Sequence, residues 1–241
     1  MQTDSNHITA MIPARLGSER LPRKNLVLIR GEPLIAHVIK AAKESGVFDR
    51  IVVNSEGVVF GEIAQQYGVE FYRRPEHLAT SETKSDEVVY DFAANHPTDV
   101  VVWVNPIAPL QPSEEIRRVV NYFVETGLDS LMTVREERVH CNFRDAPLNY
   151  LPGEKFARTQ DLEPIYRFVY SLMMWRRVAF IAEYEREGHA ILFGRIGFAP
   201  VGQLSSLIVK TEEDIRLCEY VLMGMAQGRK PLSYFADRAE G

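Results

Sequence analysis

Basic side chains cluster near the N-terminus in a pattern that could bind phosphate. Between positions 15 and 30, one acid, Glu19, is set against five basic residues: Arg15, Arg20, Arg23, Lys24 and Arg30. Arginine can hold phosphate oxygens through two parallel hydrogen bonds, and lysine supplies a compact positive charge. Gly17 and Ser18 let the backbone approach a ligand and donate N–H groups. The stretch predicts a polyanion-binding loop, and a solvated basic surface loop is the alternative that charge alone leaves open.

The elements that must position this loop alternate between strands and helices. Apolar or β-branched runs predict strands at 7–14, 50–54, 70–73, 99–104, 130–134, 166–175, 195–201 and 207–209. Apolar residues at helical spacing predict helices at 33–45, 58–67, 86–95, 113–125, 176–187 and 212–226. The unbroken apolar run at 99–104 is typical of a strand buried in a parallel sheet. The pattern predicts an α/β sheet that binds ligands beyond the carboxyl ends of its strands.

Residues 135–165 interrupt this alternation, because they carry scattered charges, three prolines and no clear period. We expect an excursion from the sheet here, reaching to about residue 175, that packs on another copy of the chain. No internal repeat or low-complexity linker is visible, so residues 1–241 are predicted to form a single domain.

The composition is that of an ordinary globular protein, with 46% hydrophobic and 25% charged residues and a formal net charge of −5. Long apolar runs are missing and the net charge is negative, so neither a membrane nor nucleic acid is an expected partner. The N-terminus lacks a signal-peptide pattern, and Cys141 and Cys218 allow at most one disulfide, so we expect a cytoplasmic protein. Neither the G-x-x-x-x-G-K-[ST] nor the G-x-G-x-x-G nucleotide motif is present.

The order of residues in the basic loop is more specific than its charge. Residues 12–25 read Ile-Pro-Ala-Arg-Leu-Gly-Ser-Glu-Arg-Leu-Pro-Arg-Lys-Asn, which resembles the signature loop of the acylneuraminate cytidylyltransferase family. Further matching segments follow in order at 31–35, 45–53, 74–79, 105–110, 158–162 and 211–214. The resemblance therefore extends along nearly the whole chain.

Members of that family couple CTP to a 3-deoxy-2-keto sugar acid, so the resemblance implies a nucleotidyltransferase that makes a CMP-sugar and releases pyrophosphate. It also implies a Rossmann-like, mostly parallel sheet flanked by helices, and a homodimer formed through an inserted dimerisation segment. Matching positions imply nucleotide contacts from Ala14, Arg15, Gly17, Ser18, Arg20, Lys24, Asn25, Arg74, Ala79 and Ser81. They imply sugar-acid contacts from Asn105, Arg158, Gln160 and Tyr166. Sialic, legionaminic, pseudaminic and octulosonic acids all fit as acceptors.

One segment departs from the family pattern. Active members commonly carry an Asp-x-Asp pair for magnesium just before the Thr-Glu-Glu-Asp segment, whereas residues 207–211 here read Leu-Ile-Val-Lys-Thr. The segment Asn54-Ser55-Glu56 likewise stands where many relatives have Ser-Thr-Asp. The acids after Thr211 match a helix capping box, which is sufficient reason for their presence. Mg²⁺ is the expected cofactor, but the sequence assigns it no ligands.

Three interpretations of this departure stay open. In the first, Lys210 is a catalytic residue that neutralises phosphate charge together with Arg15 and Lys24. In the second, magnesium arrives with CTP and is held by water and a displaced carboxylate: Glu56, Glu212 or Glu213. In the third, catalysis is impaired and the chain binds nucleotide or sugar as a regulatory or assembly protein. Transfer from a nucleotide other than CTP is a further alternative.

Overall fold

A computed structural model of the protein describes residues 6–228 and Leu232. The strands in chain order are β1 (Ile8–Pro13), β2 (Leu28–Ile29), β3 (Glu32–Pro33), β4 (Arg50–Ser55), β5 (Glu70–Arg73), β6 (Val100–Val104), β7 (Ser130–Glu137), β8 (Asn142–Phe143), β9 (Ala146–Pro147), β10 (Ile165–Arg176) and β11 (Ile196–Pro200). The helices are α1 (Leu34–Ser45), α2 (Val58–Tyr67), α3 (Ser85–Asn95), α4 (Ser113–Thr126), α5 (Arg177–Glu187) and α6 (Glu212–Ala226). None of the helices described is long and apolar enough to cross a bilayer.

A seven-stranded sheet organises the fold in the order β11-β7-β10-β6-β1-β4-β5. Its neighbouring strands are parallel except at β10, which runs antiparallel to both β6 and β7. This mostly parallel sheet with flanking helices confirms the predicted fold class. The unbroken apolar run is β6, which lies between β10 and β1 as its composition indicates.

Helices cover both faces of the sheet because each carries an apolar stripe at helical spacing. On one face, α1, α2 and α4 pack onto the sheet through residues such as Ile39, Phe60 and Phe123. On the other face, α3 and α5 pack onto it through Phe92 and Phe180. The sheet is therefore buried on both sides, so the ends of its strands and their loops are the places left to form a site.

The predicted helix ends agree with the structure where capping chemistry is present. Helix α2 ends at Gly68 with φ at 64°, and α4 ends at Gly127 with φ at 63°, a conformation in which a Cβ is strained. Helix α6 begins with the predicted capping box. Its Asp214 Oδ2 accepts hydrogen bonds from Lys210 N at 2.8 Å, Thr211 N at 2.9 Å and Thr211 Oγ1 at 3.0 Å.

The prediction of a strand at 207–209 is wrong, because the structure has irregular backbone there. Val209 is fully buried, its N–H donates to Ile107 O at 2.8 Å, and it packs with Ile215 and Cys218 of α6. The run is apolar because α6 covers it, not because it joins the sheet. The short hairpin of β2 and β3 is absent from the sequence prediction.

The predicted excursion begins at residue 138 rather than 135, because β7 continues to Glu137. Its predicted end at about residue 175 is wrong, because β10 already begins at Ile165 and belongs to the sheet. Between them lie the small β8–β9 hairpin and a 3₁₀ turn at Thr159–Asp161. Residues 138–164, called the inserted segment below, therefore leave the sheet as expected.

Candidate active site

The predicted polyanion-binding loop follows β1 at the carboxyl end of that strand. Together with the loops after β5 and β6 it surrounds a cavity of about 330 Å³, called the first cavity below. Of the residues predicted to bind nucleotide, those that line it are Ala14, Arg15, Ser18, Arg20, Lys24, Asn25, Arg74 and Ser81. Gly17 and Ala79 lie beside lining residues in the chain without lining the cavity. The structure thus gathers most of this set, and its role in nucleotide binding stays a prediction.

Arg15 joins two of the loops that surround the first cavity. Its Nη1 donates a hydrogen bond of 2.5 Å to Thr80 O, in the loop after β5. That loop is held in turn by Thr83, whose hydroxyl donates to His77 O at 3.1 Å. Arg15 therefore lies in a fixed position with its charge at the cavity wall.

Lys24 is a partly buried cation on the same wall. It begins a 3₁₀ turn, Lys24–Leu26, that the chain enters through Arg23 in the left-handed conformation, with φ at 50°. Burial lowers the pKa of Lys24, the positive charges of Arg20, Arg15 and Lys210 lower it further, and the carboxylate of Asp214 opposes them. A partly buried ammonium ion among like charges is stabilised by an anion, so this wall favours phosphate.

A buried ion pair anchors the loop after β1. Arg74 is 4% exposed and Glu56 is 14% exposed, and Arg74 Nη2 lies 3.3 Å from Glu56 Oε2. The same Nη2 donates to Ala14 O at 3.0 Å, while Glu56 Oε1 accepts from Leu16 N at 2.8 Å. Burial lowers the pKa of Arg74, and Glu56 opposes that shift. The pair therefore holds the backbone of residues 14–16 from two sides.

The anchoring role of Glu56 was not predicted from the sequence, which offered this residue only as a displaced metal ligand. Its position directly after β4 was the available signal, because the carboxyl ends of β4 and β1 are neighbours in a parallel sheet.

Three residues that line the first cavity have a buried side-chain atom without a hydrogen-bond partner among the residues that the structure describes. Asn25 Oδ1, Arg74 Nε and Trp103 Nε1 are buried without a hydrogen-bond partner in the described part of the chain, and all three residues line the cavity. Leaving a buried donor or acceptor unpaired costs about 1–3 kcal/mol. One acceptor and two donors of this kind therefore lie just beneath the wall of the first cavity, and each carries such a cost.

The residues predicted to contact a sugar acid do not all meet in one place. Asn105 lines the first cavity, and its Nδ2 donates to Tyr170 O at 3.0 Å. Arg158 instead pairs with Asp161 in the inserted segment, at 2.7 Å between Nε and Oδ2. Gln160 lies in the same 3₁₀ turn, and Tyr166 packs beside Phe198 on the sheet. Of this set, only Asn105 lines the first cavity, and none of the four lines the second cavity described next. The roles of the others stay predictions.

Lys210 lies on a second cavity of about 360 Å³, which Asp214, Arg167 and Tyr170 also line. Lys24 on the first cavity is close enough to Lys210 and Asp214 for their charges to shift its pKa. Asn105 lines the first cavity and Tyr170 lines the second, and a hydrogen bond joins these two residues. The two cavities are therefore neighbours, with Lys24 on the first and Lys210 on the second.

The carboxylates of Asp214, Glu56 and Glu212 are engaged in other contacts and do not form a magnesium site together. No group of three or more His, Cys, Asp or Glu side chains in residues 6–228 is arranged to hold a metal. Asp214 uses one oxygen to cap α6 and lies beside Lys210, whose ammonium would repel a cation. Glu56 is held by the loop and Arg74, and Glu212 pairs with Arg216 at 2.5 Å. The described residues therefore offer no dedicated magnesium site.

Comparison with known proteins agrees with the sequence resemblance. Residues 9–167 match the model of the family described as cytidylyltransferase. The chain is 35% identical over 174 residues to the CMP-N,N′-diacetyllegionaminic acid synthase of Legionella pneumophila, covering 66% of this chain and 74% of that protein. It is 30% identical over 165 residues to the N-acylneuraminate cytidylyltransferase of Streptococcus agalactiae, covering 65% of this chain and 40% of that relative. The chain thus spans less than half of the longer relative.

A solved structure supports the fold. The CMP:2-keto-3-deoxy-manno-octonic acid synthetase complexed with CTP superposes with a TM-score of 0.66 at 16% identity, covering 91% of this chain and 99% of that one. Together with the family match, which extends over more than half of the chain, these findings show that the protein belongs to the cytidylyltransferase family.

Proposed function

We propose that the protein transfers CMP from CTP to a 3-deoxy-2-keto sugar acid, giving a CMP-sugar and pyrophosphate. The observation that carries the proposal is the first cavity, where the cations Arg15, Lys24 and Arg74 and the amide of Asn25 belong to residues that line one space. The named activities of the relatives support the choice of CTP and of a sugar acid. Both relatives act on nonulosonic acids by name, so sialic and legionaminic acids are the first acceptors to test.

In the proposed reaction, the anomeric hydroxyl of the sugar acid attacks the α-phosphorus of CTP. A new oxygen–phosphorus bond forms, the bond to the bridging oxygen of the β-phosphate breaks, and the hydroxyl proton is released to water. The protein must place the two reactants in line and neutralise phosphate charge. Arg15 and Lys24 supply positive charge on the nucleotide side. Lys210, on the second cavity, supplies it on the acceptor side.

The experiment that tests this function is calorimetric titration of the protein with CTP, UTP and ATP, each with magnesium and again with a chelator. Selective binding of CTP supports the nucleotide assignment. Pyrophosphate release is then measured with sialic, legionaminic, pseudaminic and octulosonic acids. Release with any of them supports the transfer, whereas binding of CTP without release from any would favour the impaired relative. No binding of any nucleotide contradicts the proposal.

Lys210→Ala is expected to lower kcat by about 10–10²-fold while the affinity for CTP changes less. The reason is that the Lys210 ammonium, which is near enough to Lys24 to influence its pKa, would neutralise negative charge on the α-phosphoryl oxygens during transfer. Steady-state rates of pyrophosphate release measure the effect, and Lys210→Arg, which keeps the charge, is the matched control. Unchanged turnover in the alanine variant would exclude Lys210 from the chemistry.

We also propose that two chains pair through the inserted segment, as the family resemblance implies. Its exposed apolar side chains support the pairing: Val139, Phe143, Leu148, Leu151 and Phe156, the last 79% exposed. Such a concentration of exposed apolar residues is typical of an interface. Light scattering is expected to give a mass near twice the 27.5 kDa of one chain, and a mass near one chain would contradict it.

The two free cysteines, Cys141 and Cys218, fit the cytoplasmic setting expected for this reaction.

A further inference from the structure

Tyr170 has a backbone conformation that aromatic residues rarely adopt. Its φ is 60°, in the left-handed region, where a β-carbon crowds the backbone. It lies in an irregular part of β10, where the register jumps from Phe168 opposite Val134 to Met173 opposite Met132. Four residues of β10 therefore face the single residue Thr133 of β7. A bulge of this kind re-aims the side chains it carries.

Buried hydrogen bonds hold this bulge in place. Thr133 is fully buried, and its hydroxyl accepts from Leu172 N and donates to Leu172 O, each at 3.0 Å. Ser171, also fully buried, accepts at its carbonyl from Asn105 N at 2.9 Å. Asn105 Nδ2 then donates to Tyr170 O at 3.0 Å. The strained conformation is thus imposed by at least four hydrogen bonds around it, and the Tyr170 ring is aimed by the fold.

The Tyr170 ring lies at the second cavity. It is 47% exposed and packs edge-on against Phe168, with 5.7 Å between ring centroids. Lys210 lines the same cavity, as does Arg167, whose Nε is held by Glu137 at 2.9 Å. An aromatic face therefore shares one cavity with positive charge, next to the cavity that gathers the predicted nucleotide residues.

This pairing of groups matches the chemistry of an acidic sugar. A sugar ring presents an apolar face of C–H groups, which an aromatic ring can cover, and its carboxylate seeks a cation. A strained backbone conformation persists only where the surrounding contacts hold it in place, and residues of this kind concentrate at ligand sites. Glycine adopts the Tyr170 conformation without strain, so the side chain itself, not the backbone turn, must account for tyrosine at this position.

We propose that Tyr170 is a specificity-determining residue of the acceptor subsite, covering the apolar face of the sugar acid, whose carboxylate lies near the positive charges of the same cavity. The inference rests on the proposed function, because it assigns the second cavity to the acceptor of that reaction. It places the acceptor against β10, the strand that also holds the predicted contact Tyr166, but at a residue of that strand that the sequence prediction did not name.

The test compares three variants with the wild-type protein: Tyr170→Gly, Tyr170→Phe and Arg144→Gly. Arg144 is a matched control, because it also has a positive φ of 56° but lies in the β8–β9 turn and lines neither cavity. For each protein, the KM for CTP and the KM for the sugar acid are measured with the four sugar acids named above. The Tm of each protein is measured separately.

Tyr170→Gly is expected to raise the sugar-acid KM about tenfold, the loss of one ring contact. The KM for CTP and the Tm are expected to stay unchanged, or the Tm to rise as the strain is relieved. Tyr170→Phe and Arg144→Gly are expected to keep the wild-type sugar-acid KM.

An unchanged sugar-acid KM in Tyr170→Gly overturns the inference and leaves the proposed function intact. Equal rises in both KM values with a fall in Tm also overturn it, because they indicate a structural role. If the sugar-acid KM rises as much in Tyr170→Phe as in Tyr170→Gly, the proposed role of the ring face is overturned. A wild-type protein that uses none of the four acids overturns the proposed function, and this inference with it.

Discussion

Lys24→Met is expected to lower kcat/KM for CTP by about 10²–10³-fold, the usual effect of removing one group that stabilises charge in a transition state. Lys24 lies on the first cavity among Arg15, Arg20 and Lys210, and no hydrogen bond holds its ammonium in the described part of the chain. The charge is therefore available to the triphosphate. Methionine keeps a similar length and removes the charge, so the loss reports on electrostatics rather than on packing.

The same variant is expected to be more stable than the wild-type protein. Burial and neighbouring positive charges lower the pKa of Lys24 in the folded state, so at neutral pH the folded chain bears an ammonium ion that the unfolded chain solvates better. The Lys24 charge therefore costs stability below its folded-state pKa, and this cost disappears as pH rises towards the ordinary value of 10.5. A lower Tm in Lys24→Met would contradict this account, since the activity loss could then reflect misfolding.

The lowered pKa of Lys24 also predicts how the rate depends on pH. As pH rises, kcat/KM for CTP, which reports on the free enzyme, is expected to decline, because the ammonium form of Lys24 is the form that binds phosphate. The decline is expected at a lower pH than the pH at which an ordinary lysine loses its proton. Lys24→Arg is the control, since arginine keeps its charge throughout that range and is expected to remove the decline. An identical profile in both proteins would assign the titration to another group.

Arg74→Ala is expected to lower the free energy of unfolding by about 3–5 kcal/mol, because it leaves the Glu56 carboxylate largely buried without its partner. The variant also frees Ala14 O, so the loop after β1 loses an anchor and CTP affinity is expected to fall. Urea unfolding measures the first effect and calorimetry the second.

The matched control for this pair is Arg50→Ala. Arg50 and Glu70 pair at the opposite end of the same two parallel strands, β4 and β5, and their side chains are 38% and 49% exposed. Such an exposed pair contributes less than about 1 kcal/mol, so its loss should hardly change stability. Equal effects of Arg50→Ala and Arg74→Ala would show that the buried pair is not the anchor of the loop.

The parts of the fold that the sequence predicted are those set by local pattern. The apolar run that became β6, the helical spacing of α4 and the capping box of α6 each depend on residues within a few positions of one another. The basic loop was found for the same reason. Local pattern failed at residues 207–209, because burial beneath a helix and burial in a sheet select the same apolar side chains.

The rest of the site depends on contacts between distant segments. The conformation of Tyr170 is imposed by Thr133 and Asn105, which belong to other strands and loops. Glu56 pairs with a residue 18 positions away. No spacing rule within one segment reports such pairings, so these two roles needed the structure.

The order of strands has a consequence for how proteins of this kind can diverge. The four strands on one side of the sheet, β6, β1, β4 and β5, come from the first 104 residues, and the three on the other side come from residues 130–200. The two sets meet in the sheet only through the antiparallel pairing of β6 with β10. Under the proposed assignment, the nucleotide is handled mainly by the first set and the acceptor largely by the second. Inherited changes in the later half of a gene could therefore alter which sugar is activated while the activating nucleotide stays the same.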